Sequence, residues 1–107
     1  MKTDKASVSY HDGLIKDLKD PKEAMLYLNA CVQVAFEEDE PELVILAIYD
    51  VAQAQGIQKT AHAAKMHRIS FHRILAEGGN PKWKSLFRVL SALHLAFRFD
   101  KLLSKAA

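Results

Sequence analysis

A single cysteine, Cys31, rules out an internal disulfide, and its neighbours Leu28, Val32 and Ala35 mark it as a small core residue. No run approaches the 18 or so apolar residues of a membrane span. The opening MKTDKASVSYHDG has no apolar core of the kind a signal peptide needs, so a cytoplasmic protein is expected. No Gly-rich loop follows a strand and no nucleophile stands beside a legible base, which leaves no catalytic residue and no cofactor to expect. There are five histidines, and His62, His67 and His72 recur every five residues. One helical face needs ligands three or four apart, so no metal site is expected either.

What is present is a chain of 107 residues, half of them hydrophobic, enough for one domain with its own core. The net charge of +2 hides a strong asymmetry. Residues 1–55 hold five basic and eleven acidic residues, a net −6, whereas residues 56–107 hold ten and two, a net +8. A basic half is the electrostatic footprint of a phosphate-binding surface.

The three prolines, and the glycines other than Gly13, fall where helices should begin or end. Asp20-Pro21 opens a helix with a cap and an N1 proline, Glu23 following in its first turn; it should run to about Phe36, with Ala24, Met25, Leu28, Val32, Ala35 and Phe36 inward. Residues 39–42 repeat the start signal, and Gly56 stops a helix ending near Gln55. That helix is apolar nearly all round (Leu43, Val44, Ile45, Leu46, Ala47, Ile48, Val51), as expected of a central helix. Leu14, Ile15 and Leu18 suggest a further short helix upstream. Gly78-Gly79 ends one later helix, Asn80-Pro81 opens the next with a cap and an N1 proline, and Trp83, Leu86, Phe87, Leu90 and Leu93 should form its buried face. Residues 95–99 alternate with period two and read as a short strand that one chain alone cannot pair.

Residues 57–74, IQKTAHAAKMHRISFHRI, fit a helix-turn-helix. Ala61 and Ala64 are small enough for a second helix to cross closely, Met66 plugs the turn, and Phe71, Ile74 and Leu75 face inward. Arg68, Ile69, His72 and Arg73 are then left outward, on the face that enters the major groove. Arg68 and Arg73 suit guanine edges or phosphates, and Ile69 a thymine methyl or a dimer neighbour. Gln58, Lys59, His67, Ser70 and Asn80 flank this face. Lys82 and Lys84 lie near a helix N-terminus, where the backbone already favours phosphate.

With these helices in order, the chain resembles the addiction-module antidote proteins, antitoxin regulators with a Cro/CI-type helix-turn-helix. The resemblance rests on residues 10–18 with Asp20-Pro21, Tyr27-Leu28-Asn29-Ala30, Pro41-Glu42-Leu43, Asp50-Val51-Ala52, Arg73-Ile74-Leu75, Gly79-Asn80-Pro81, Ser85-Leu86 and Val89-Leu90. Lys65 stands where the family turn usually has Gly, and His67 where it usually has an Asn-type cap. The resemblance implies a RelE/ParE-like toxin as partner and autorepression at operator DNA. An all-α fold follows, of about five helices with a short C-terminal strand: acidic helices over 10–40, the helix-turn-helix core over 41–94, and a strand or tail over 95–107. One helix-turn-helix covers few base pairs, so a homodimer on an inverted repeat is expected. A prophage regulator without a toxin, and an interaction module that does not use DNA, stay open as alternatives.

Overall fold

The computed structural model describes residues 5–76 and 80–102, with side chains from Tyr10 onward. Six helices form among the described residues: α1 (Lys5–Asp17), α2 (Pro21–Glu38), α3 (Glu42–Gln55), α4 (Ile57–Ala63), α5 (Arg68–Ala76) and α6 (Trp83–Ala92). The count is six rather than about five, and the short helix suggested by Leu14, Ile15 and Leu18 is α1, which begins as early as Lys5 and ends at Asp17. No strand forms among the described residues: residues 95–102 have no chain beside them to pair with. Gly78 and Gly79, the expected stop of α5, lie outside the described residues.

Local sequence explains most boundaries. The Asp20 side chain accepts the N–H of Lys22 at 3.0 Å and Pro21 sits at the head of α2. Asp39 closes α2 rather than opening α3: it is left-handed (φ 57°) and the N–H of Glu40 returns to the Ala35 carbonyl at 2.9 Å. At the end of α3, Gly56 adopts φ 110° and its N–H bonds the Ala52 carbonyl at 2.8 Å. The chain enters α4 at the very next residue.

Helix α3 is the centre of the molecule, packing against α1, α2, α4 and α5. Its Ile48 and Ala52 join Ala61, Ala64, Phe71, Leu75, Val89 and Leu90 in the main core. A smaller cluster, Leu18, Ala24 and Val51, seats α1 and α2 on α3, and Leu28 and Leu93 pack against both clusters. Between α2 and α3 the Tyr27 hydroxyl donates to the Asp50 carboxylate at 2.6 Å. Burial, with Asp50 second, raises the Tyr27 phenol well above its usual range, so it stays a donor. Cys31 is half-buried and its thiol is also raised, by burial, which keeps it unreactive.

Two inner faces differ from expectation. On α2, Ala24 and Ala35 are buried but Met25 and Phe36 are exposed, since they flank a helix that has neighbours on one side only. On α6, which starts at Trp83 with Lys82 rather than Asn80 at the cap position, Val89 and Leu90 are buried while Trp83 and Phe87 are not. The core needs one stripe of each helix, and these side chains lie beside it.

Gly56 sits at a φ that side-chain-bearing residues rarely adopt, although a methyl group there would meet nothing closer than Lys59 Cβ at 3.7 Å. The Gly56→Ala variant should therefore lose about 1–2 kcal/mol from backbone strain alone. The check is the urea midpoint, which should fall with no change in the slope of the transition.

Candidate nucleic-acid interface

Helices α4 and α5 meet across a turn built from small side chains. Ala61 and Ala64 are buried, and the N–H of Met66 bonds the Ala61 carbonyl at 2.9 Å while its side chain half-fills the turn. Lys65 is left-handed (φ 59°), the conformation for which glycine is the unstrained choice. The His67 carbonyl takes the first helical bond of α5, from the Phe71 N–H at 2.8 Å.

From that start, α5 divides sharply. Phe71 and Leu75 have no exposed surface. Arg68, Ile69, His72 and Arg73 project outward, Ile69 with 72% of its surface exposed. Together with Tyr49 from α3 and Ile57 from α4, the four line one shallow open groove. The Tyr49 hydroxyl and His72 Nδ1 share a 2.9 Å hydrogen bond, and the two rings meet edge to face with centroids 5.6 Å apart. Burial raises the Tyr49 phenol, so it remains protonated and holds the imidazole in place.

The other expected contact residues are not among those that line this groove. His67 and Gln58 are exposed, Ser70 is half-buried on the flank of α5, and Asn80, Lys82 and Lys84 are exposed before and along the first turn of α6. Lys59 is apart from them: it lines a separate depression between α4 and the end of α6, with Thr60, Ser91 and His94. Tyr49 was not expected in the site. It is 23 residues from His72 along the chain, and only the packing of α3 against α5 brings the two together.

No helix among the described residues is long and apolar enough to cross a membrane. Comparison with known proteins finds a family described as "probable addiction module antidote protein", which matches residues 12–101. A protein of Haemophilus influenzae described as uncharacterized is 33% identical over 84 residues, 78% of this chain and 82% of that protein. No solved structure matches significantly. The chain belongs to the addiction-module antidote family.

Lys65 is exposed and left-handed, so its side chain contributes strain without packing. Lys65→Gly should raise stability by roughly 0.5–1 kcal/mol, part of the strain relief being offset by the greater freedom of glycine in the unfolded chain. Thermal unfolding measures this directly; an unchanged or lower midpoint would contradict the strain argument.

Proposed function

We propose that this member of the addiction-module antidote family is a homodimeric antitoxin that represses its own operon. Helices α4 and α5 act as a Cro/CI-type helix-turn-helix, and α5 reads operator DNA in the major groove. The observation that carries this reading is the division of α5 into a sealed face, Phe71 and Leu75, and an exposed face of Arg68, Ile69, His72 and Arg73. The arginine forks suit guanine O6 and N7, Ile69 suits a thymine methyl, and His67, Ser70 and Gln58 flank them. Asn80, Lys82 and Lys84 hold phosphates at the head of α6, adding sequence-independent affinity.

The acidic half serves the second activity, neutralisation of a small RelE/ParE-like toxin. Helix α2 leaves Leu26, Ala30 and Val34 exposed at four-residue spacing, with Met25 and Phe36 also open, and its C-terminal end carries Glu37, Glu38, Asp39 and Glu40. Apolar surface within an acidic field is complementary to a nuclease that must itself be basic to hold RNA. Residues 10–40 thus meet the toxin, residues 41–94 meet the operator, and residues 95–107 form the C-terminal tail. A prophage regulator without a toxin would use the same DNA face; membership of an antidote family and the exposed surface of α2 favour the antitoxin.

Arg68→Ala and Arg73→Ala should each weaken operator binding by about 1–3 kcal/mol and relax specificity at one base pair. Lys82→Ala and Lys84→Ala should weaken binding to all sequences alike, each lowering the salt slope by about 0.9. Titration of DNA from upstream of the gene at several salt concentrations separates the two classes, and full operator affinity in the double arginine variant would falsify the recognition face. For the toxin side, Phe36→Lys with Glu40→Lys should raise the dissociation constant for the small protein encoded beside the gene by about ten-fold or more, through lost burial and reversed charge. Operator binding should be unaffected by that pair.

A further inference from the structure

Beyond α6 the chain carries an apolar surface that its own fold does not cover. Trp83 and Phe87, one turn apart, meet edge to face at 5.8 Å, and Phe97 completes a triangle at 5.3 and 5.6 Å from their ring centroids. Even so, Trp83 remains 68% exposed and Phe87 58%. Residues 95–102 follow without helix, turn or bend, and Phe97 brings its ring to this cluster. Leu95 is anchored, its N–H bonding the Leu90 carbonyl at 2.8 Å and its side chain packing on the core. From residue 96 to 102, however, no backbone group bonds another backbone group among the described residues. Phe99, at 103% relative exposure, touches nothing that shields it. A row of aromatic residues on a segment whose backbone has no backbone partner is one that a second chain can pair with as a strand.

We propose that residues 96–102 pair antiparallel with the same residues of a second copy of this chain, with the two-fold axis at Phe99. This inference rests on the homodimer reading and specifies where and in which register the two copies join. Leu95 and Phe97 pack toward the domain, so period-two alternation puts Phe99 on the same side and Arg98 and Asp100 on the other. With Phe99 opposite Phe99 of the second copy, Arg98 falls opposite Asp100 and Asp100 opposite Arg98, giving two cross-strand ion pairs. Asp100 Oδ1 already accepts the Lys101 N–H at 2.8 Å, which leaves Oδ2 for the guanidinium across the pair. Phe97 falls opposite Lys101 and Ala96 opposite Leu102. Moving the axis to residue 98 would set arginine against arginine; moving it to residue 100 would set aspartate against aspartate. The segment is therefore complementary to itself in one register, which identifies the occupant as another copy rather than an unrelated strand. The paired Phe99 rings fill the space under the ribbon, between the two Trp83–Phe87–Phe97 clusters.

Two measurements on the full chain test the register. In a Cys31→Ser background, Phe99→Cys should oxidise to a covalent dimer, because directly opposed residues have Cα atoms about 4.5–5.5 Å apart, within disulfide reach. Ala96→Cys should not, since the two copies of residue 96 would lie roughly 20 Å apart. Independently, Arg98→Asp and Asp100→Arg should each raise the dimer dissociation constant in sedimentation by about ten-fold, and the double exchange should return it to within about three-fold of the parent. Both residues are exposed, so the exchanges leave the fold intact, as circular dichroism would record. If the parent protein is a monomer at micromolar concentration, both this inference and the homodimer reading fail. A dimer in which Phe99→Cys does not cross-link and the two charge reversals simply add overturns the strand pairing alone.

Discussion

Phe71 exposes none of its surface, and the alanines that share its core cluster, Ala52, Ala61 and Ala64, determine how closely α3, α4 and α5 approach one another. A methyl side chain at each crossing lets the backbones come near enough for one aromatic ring to fill the space among three helices. Enlarging any of the alanines would force the helices apart, at about 1–3 kcal/mol for overpacking. The outward face of α5 follows from this constraint. Once Phe71 and Leu75 are inside, the positions of Arg68, Ile69, His72 and Arg73 are fixed by helix geometry. Tyr49 adds the finer adjustment, tying the imidazole of His72 to the central helix.

The helix pair α4 and α5 and the opening of α2 were legible because they depend on short-range features: a capping aspartate before a proline, small residues at a crossing, an alternation between apolar and basic positions. The sidedness of α2 and α6 was not. Met25, Phe36, Trp83 and Phe87 lie within a helical spacing that reads as inward, but whether a position is covered depends on which other helix passes over it, and that is settled by tertiary packing. The full extent of α1 escaped for the opposite reason, since KASVSYHDG holds too few large apolar residues to show a helix. Tyr49 shows a third limit: local patterns do not couple residues 23 apart until the fold has placed α3 on α5. Residues 95–99 displayed the period of a strand, yet the period alone supplies no partner, and the isolated chain leaves them unpaired.

The charge division has a structural counterpart. The acidic residues belong mainly to α1, α2 and the start of α3, while the basic ones belong to α4, α5, α6 and the C-terminal tail, and α3 stands between the two groups of helices. Like charges are thereby collected on surfaces and kept out of the core, where among the described residues no buried side-chain nitrogen or oxygen lacks a hydrogen bond. The cost is self-repulsion within each half, which salt screens over about 10 Å. The gain is that a polyanion and a cationic protein are attracted to different regions of the same small domain.

Gly56 occupies the whole connection between α3 and α4. Most connections in a small domain tolerate added residues, because a longer loop costs little entropy and bulges harmlessly into solvent. This joint has no loop to lengthen. One extra residue taken up as helix would turn everything after it by about 100° about the axis and advance it by about 1.5 Å, carrying Ala61 and Ala64 off their partners. Chain length at this joint is therefore under stricter control than residue type, and relatives that share the fold should keep the count from Ala52 to Ala61 constant.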